Sequence, residues 1–504
     1  MQARQVVFRA VVLAGVACAM LWPAIWNRGA FYTEDSRTYI RSGDAAMNKL
    51  THRATVWTAT EDSSPAATGN AGQQSFLALH NRAEARTRSL SEISRKGVLL
   101  GRSPFYGLLL YLGAITGGFW VSMLLQAGAV LLALYLTLRA FQIPAWPYLA
   151  YLGVALCIVP ATPFYASYLM PDIFAGIAIL ACAVLFSARQ RIPIRDLLLW
   201  YLLLAAAVLF HDSCIMIVAV LFLMAVVVNL FRHSWNNWRG LALLVIVLIT
   251  AYVGQALTVY GIKRVTGETP LRLPFLSARL ITDGPGTEYL RATCPASHFT
   301  LCEDVSEFPL NEFEFLFGVE PGRSVFEVAP YEKRKAISDE QVRFFFSVLR
   351  YDPAAVIKTD ARAAVLQLLD FSLDAFHYNP ILRSDLDNTI PLQVLAGIQA
   401  TRAYQDTLPL MPLSVFLYVL VAGSVAYVCL IVWKGRSGTP VRTELRQFYL
   451  WIVAGVVVNA AVCADISGVF ARLQCRVVWL IPLAAMLIYF SRKTTGFVSG
   501  HGKS

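Results

Sequence analysis

The stretch FYTEDSRTYIRSGD, residues 31–44, sets Glu34, Asp35 and Asp44 among Arg37 and Arg41, with Tyr32 and Tyr39 between them. A carboxylate within reach of a hydroxyl can take its proton, and a guanidinium beside it can grip an anion. Four other short stretches carry ionisable residues next to apolar runs. Arg102 and Tyr106 stand in GRSPFYG, Asp172 in YASYLMPDIF, His211 and Asp212 in LFHDSC, and Asp465, Arg472 and Arg476 in CADISGVFARLQCRVVW. Arg472 and Arg476 are four residues apart, which puts both on one face if the segment is helical. Each residue also has a plainer role. Glu34 and Asp35 can be solvated loop acids, and Asp172 can be an acid at a helix N-terminus. His211–Asp212 can be a tight polar turn, and the two arginines can snorkel to lipid headgroups. Ionisable groups near a membrane are costly and usually functional, and five separate stretches bring them to one face.

The elements that must position these residues are membrane helices. Of 504 residues, 57% are hydrophobic and 15% charged, against roughly 25% charged in a soluble domain. Apolar runs long enough to cross a bilayer recur along the chain. Ten spans are expected, at 7–26, 119–138, 146–163, 171–188, 196–211, 213–231, 240–259, 410–433, 447–464 and 476–491. The first run, from Val6 to Trp26, is long for a signal peptide and lacks a small-x-small cleavage site, so a retained anchor is expected. Segment 104–117 is apolar but short and is expected to lie in the interface.

Lysine and arginine set the orientation. With both termini cytoplasmic, the inner pieces hold Arg4, Arg9, Arg139, Arg189, Arg191, Arg195, Arg232, Arg239, Lys434, Arg436, Arg442, Arg446, Arg492, Lys493 and Lys503. Against these fifteen cations stand Asp196 and Glu444, so the inner side carries +13 of a net +11 and the outer side −2. The positive charge is thus a topology signal, and no nucleic-acid partner is expected. All the ionisable stretches above fall outside.

The expected organisation is an all-α polytopic membrane protein in three parts. Residues 1–259 form a membrane module of seven spans with an outer loop at 27–118, residues 260–409 an outer-face domain, and residues 410–504 a second module of three spans. TATEDSSPAATGNAGQQ reads as a flexible loop. In the outer domain, SDEQVRFFFSVLR opens with Ser338 as a helix cap, and YDPAAVIKTDARAAVLQLLDF reads as a second amphipathic helix. Both helices are expected on the membrane surface. Cys294 and Cys302 fit a disulfide in an oxidising outer compartment. The other cysteines mostly read as small hydrophobes, with Cys463 and Cys475 near the outer end of their spans.

This pattern resembles the GT-C superfamily of integral-membrane glycosyltransferases and is similar to uncharacterised bacterial members. The residues that carry the likeness are Glu34-Asp35-Ser36-Arg37-Thr38-Tyr39 after the first span, RSPFYGLLL from Arg102 to Leu110, Gln126 in the second span, and Pro171-Asp172 opening the fourth. It covers about residues 7–230. DGPGTEYLRATCP and RLQCRVVWLIPL carry a weaker likeness. The resemblance implies a bacterial inner (plasma) membrane location with the active site on the periplasmic face. It also implies a polyprenyl-phosphate-linked sugar donor and a glycan, lipid or protein acceptor. An acceptor hydroxyl would attack the anomeric carbon while a lipid phosphate leaves. Asp35, then Glu34, is the expected base. Arg472, Arg476, Arg102 and Arg37 would grip the phosphate, with Tyr106, Asp172 and His211 as further substrate-binding residues. Some members need a divalent metal and others do not. Asp35, Asp172 and His211 are the candidate ligands, magnesium or manganese suiting the carboxylates and zinc suiting histidine.

Three rival readings stay open. A lipid-linked-sugar transporter or flippase would show internal repeats and ionisable groups near the midplane, neither of which is evident. An O-antigen polymerase-like protein would also use outer arginines and a large outer loop. A non-catalytic subunit of the same fold would keep the architecture without the chemistry.

Overall fold

The computed structural model describes residues 2–53, 55–57, 100, 102–188, 192–233, 235, 237–318, 323–434 and 441–500. The loop expected at 58–74, and Arg189, Arg191, Arg436 and Lys503 of the charge pattern, lie outside the described residues. The described chain is helical almost throughout, with one isolated bridge, Phe31 to Tyr168, in place of any strand. It is an all-α, multi-pass membrane protein. Among the described residues, six stretches are long and apolar enough to span: Trp120–Ala140, Asp212–Arg232, Trp238–Arg264, Leu410–Lys434, Thr443–Ser467 and Ala471–Arg492. Shorter apolar helices at Phe8–Met20, Pro104–Thr116, Ala145–Ile158 and Ile173–Ser187 pack among them.

Ile173–Ser187 is the hub. All fifteen of its residues are buried, which is why its sequence is apolar on every side rather than on one stripe. At 1.5 Å per residue it is about 22 Å long, short of a ~30 Å hydrocarbon core. Residues 167–172 before it are irregular, and irregular backbone inside an apolar bundle must be satisfied by the protein itself. The Phe31–Tyr168 bridge does this, with Phe31 N–H donating to Ser167 at 3.1 Å and Leu169 N–H to Phe31 at 3.0 Å. Gly176 lets Trp479 lie flat against the hub, since a Cβ there would meet the indole at 2.6 Å.

The Pro104–Thr116 helix, expected at the interface, packs on the helix Glu34–Thr51. It crosses Glu34–Thr51 so closely that a Cβ on Gly43 would stand 2.1 Å from the Gly107 carbonyl oxygen. That crossing fixes Asp35, in the first turn of one helix, against Arg102, just before the other. Ser103 caps the second helix, accepting from Phe105 N–H at 3.2 Å. Its hydroxyl donates to Leu209 O and so ties that helix to the His211 turn.

Two apolar cores are present. One lies in the membrane module and takes in Phe371–Ala403; the other gathers Leu273 to Val356. The segment expected as one outer domain at 260–409 therefore divides between them. Cys294 and Cys302 are joined by a disulfide beside the second core. Ser338 does not begin its helix, which runs Tyr331–Tyr351. Its hydroxyl instead bonds the Arg272 backbone, donating to O at 2.6 Å and accepting from N–H at 3.2 Å. A serine hydroxyl serves a nearby backbone group as readily as a cap, and the sequence alone does not separate the two.

Candidate active site

The chain after Thr443–Ser467 turns at Gly468, whose φ of 80° favours glycine, and starts the short helix Ala471–Val478 that carries Arg472 and Arg476. Two side-chain amides hold this turn. Gln367 clamps Phe470, donating to its O at 2.8 Å and accepting from its N–H at 2.9 Å. Asn459 donates to Leu473 O at 2.7 Å and to Gln474 Oε1 at 2.9 Å. Tyr165 adds a hydroxyl donated to Arg472 O at 2.7 Å. The backbone carrying the two arginines is therefore held from several sides.

Both arginines meet carboxylates. Asp35 receives Arg102 through one oxygen and Arg472, at 3.7 Å, through the other. Burial pushes the Asp35 carboxyl up, but the charges of Arg102 and Arg472 and the bond from Arg102 outweigh it, so the group sits below the usual carboxylate range. Arg476 lies deeper and is fully buried. It meets Asp172 at 3.2 Å and donates to Ser213 Oγ at 2.9 Å and Asn459 Oδ1 at 3.1 Å. His211 closes the back wall. Its Nε2 stands 3.5 Å from Arg476, and its Nδ1 accepts from Ser213 N–H at 3.2 Å.

The structure thus brings Asp35, Arg102, Asp172, His211, Arg472 and Arg476 together at one end of the bundle. Other sequence candidates stand apart from that cluster. Glu34 is exposed and accepts from Thr33 Oγ1 at 2.7 Å. Arg37 reaches Asp385 at 3.6 Å. Tyr106 is wholly buried and donates to Gln126 Oε1 at 3.0 Å, while Gln126 donates to the Ala166 and Tyr168 carbonyls. It supports the Asp35 helix through Tyr39, whose ring stands edge-on at 5.0 Å. Asp465 is separate too, beside Arg279, Asp283 and Asp360. Cys463 and Cys475 are both buried and unbridged, and Cys463 touches Arg476.

The candidate metal ligands are each paired with a cation of the protein. Asp35, Asp172 and His211 each face a guanidinium, and no group of three or more metal-binding side chains gathers among the described residues. A cleft beside the site runs between Pro104–Thr116, Ile194–Phe210 and Trp238–Thr266. Arg102, Asp212 and Gln255 are among its polar lining, and Phe105, Leu209 and Ala251 among its apolar lining.

Asn459, Ser213 and Gln367 were not among the sequence candidates. Asn459 had a signal, a lone amide inside the apolar run VVVNAAVC, where a polar group needs a partner. Gln367 had none, because its partner is a backbone unit 103 residues away. Comparison with protein-family models, curated proteins and solved structures finds no match.

Proposed function

We propose that this protein is a GT-C-like glycosyltransferase that moves a sugar from a polyprenyl-phosphate carrier to an envelope acceptor at the outer face of a bacterial inner membrane. The observation that carries the reading is the sharing of the Asp35 carboxylate between two arginines from distant parts of the chain. An ion pair of this kind is a closed resting state. A donor phosphate offers the guanidiniums a better partner, because each planar fork binds phosphate through two parallel bonds. Once Arg102 and Arg472 turn to the phosphate, Asp35 loses the charges that depress its basicity. The acceptor hydroxyl then attacks the anomeric carbon, the carbon–oxygen bond to phosphate breaks, and the phosphate leaves with the electron pair. Asp35 takes the hydroxyl proton, and the two arginines stabilise the charge on the leaving group. These steps use no metal.

Arg476 and Asp172 serve behind this pair as a fixed, buried charge support. The cleft beside Arg102 suits a lipid-linked donor, since charged and apolar side chains line it together. The position of the polar groups at one end of the helices favours transfer over transport, which needs ionisable groups at the midplane. Ten spans with both termini cytoplasmic belong to this same reading.

The test is a cell-envelope comparison of wild type, Asp35→Asn and Arg472→Ala in a strain lacking the gene, at matched membrane levels. Lipid-linked sugars and surface glycans are profiled by mass spectrometry. Wild type restores a glycan, and both variants leave undecorated acceptor and unused lipid-linked sugar. An Asp35→Asn variant as good as wild type overturns the reading and leaves transport or scaffolding as the better account.

A further inference from the structure

We infer that residues 353–379 form a re-entrant hairpin that dips into the outer leaflet and presents one helix face to lipid. Its descending arm is the helix Pro353–Leu369, capped by Asp352, whose carboxylate accepts from Ala355 N–H at 2.9 Å. This helix packs lengthwise against the spanning helix Thr443–Ser467. Asp360 lies beside Asp465 at the outer end of that span, and Gln367, two turns further on, reaches the Phe470 backbone. The bottom of the arm is marked by Leu369, whose carbonyl accepts from the Tyr418 hydroxyl at 3.0 Å. Tyr418 lies eight residues into the span Leu410–Lys434, which is about 12 Å below its outer end at 1.5 Å per residue.

The returning arm is irregular apart from one 3₁₀ turn, Asp374–Phe376. Backbone of that kind survives at membrane depth only where protein satisfies its polar groups. Here it does. Phe371 N–H donates to Tyr418 Oη and Leu373 N–H to Ser414 Oγ, each at 2.9 Å. The Phe371 and Tyr418 rings stack at 3.9 Å. Phe376 then fills the space under the site, packed against Phe31, Phe164, Tyr165 and Tyr168. Tyr378 ends the arm by accepting Tyr32 N–H at 2.5 Å. Two hydroxyls from one spanning helix serve backbone donors of this segment, so the segment lies at the depth of that helix rather than above it.

The descending helix buries one side against protein and leaves the other uncovered. Ile357, Val365, Leu366 and Leu369 are all more than 45% exposed, and Ile357, Val365 and Leu369, eight and four residues apart, share one helix face. The occupant of that face is lipid, argued from continuity. The neighbouring spans carry the same kind of exposed apolar residues, among them Met411, Val415 and Val419. Lys358 and Arg362 sit near the upper half of the helix, where long side chains reach headgroup phosphates. The inference stands independently of any transferase activity.

The test adds single cysteines to the full-length protein at Leu366, Leu369 and Glu332 and labels sealed cells with a membrane-impermeant maleimide. Glu332 is exposed on the outer helix Tyr331–Tyr351. Leu366→Cys and Leu369→Cys are expected to label at least ten-fold more slowly than Glu332→Cys, and to label fully once SDS unfolds the chain. Benzoylphenylalanine replacing Leu366, irradiated in native membranes, is expected to yield phospholipid adducts. Labelling as fast as at Glu332 overturns the hairpin. A protein adduct in place of a lipid one overturns the lipid-facing surface and points to a second chain on that helix.

Discussion

Arg476 and Asp172 are 304 residues apart in the chain, meet at 3.2 Å, and are both fully buried. A pair this deep is sensitive to the loss of one partner, because the other charge is then stranded. Arg476→Ala is expected to lose about 3–5 kcal/mol of stability, read as a drop in melting temperature and in folded yield from membranes. Arg476→Met with Asp172→Leu is expected to recover most of that loss. A single variant that melts like wild type would show that the pair carries no buried charge. Chemistry is therefore better tested at Asp35, Arg102 and Arg472, each of which keeps some exposure.

The crossing of Glu34–Thr51 with Pro104–Thr116 depends on two glycines facing each other. A Cβ on Gly107 would stand 2.6 Å from the Tyr39 carbonyl oxygen and 2.8 Å from Gly43 N, both backbone atoms. Gly107→Ala is expected to cost about 1–3 kcal/mol through forced separation of the helices and to weaken the Asp35–Arg102 pair. Gly128→Ala is the control. Its Cβ meets nothing within 4 Å in the middle of a helix, so it is expected to be neutral or slightly stabilising. Melting temperatures of the two variants, side by side, check this.

Gln367 reaches from the re-entrant arm to the turn before Arg472. Gln367→Leu strands the Phe470 N–H and O it now satisfies, at roughly 1–3 kcal/mol per buried group left unpartnered. The expected signature is local. Hydrogen exchange over residues 468–474 speeds up well before global unfolding, while exchange in the core that gathers Leu273 to Val356 is unchanged. Uniform exchange in both regions would rule out a specific clamp.

Glu312 sits beside Arg279 and Asp283, next to the core that gathers Leu273 to Val356. Burial raises its carboxyl from 4.5 to about 7, with Arg279 opposing and Asp283 adding to the rise; burial raises Asp283 as well. A raised acid binds its proton in the folded state before it does in the unfolded one. The contribution of this group to stability is therefore fully present below about 4.5 and is lost as pH rises from about 4.5 to about 7. Glu312→Gln is expected to flatten that fall and to raise the melting temperature at pH 8 more than at pH 5. An equal shift at both pH values would mean that Glu312 is already ionised when folded.

Much of this protein is dictated locally. A run of twenty apolar residues has few alternatives to a helix in a bilayer, because no water remains to satisfy the backbone. The helices at Trp120–Ala140, Asp212–Arg232 and Leu410–Lys434 accordingly begin and end within a few residues of the expected spans. Arg472 and Arg476 could be placed on one helix face from their spacing, and the structure has both meeting carboxylates at the site. The packing partners could not be read in the same way. That Asp35 takes arginines from residues 102 and 472 depends on how the helices cross, and the crossing depends on Gly43 and Gly107 being small at the same point. Tyr106 had the residue type of a ligand contact, yet its hydroxyl is spent on Gln126 in the interior. The stretch 353–379 had the composition of a surface helix and a loop, and only its contacts with Tyr418 and Ser414 give its depth. Hydropathy fixes how much of a helix is apolar. What covers that apolar side, lipid or protein, is a property of neighbours distant in the chain, and only the assembled fold decides it.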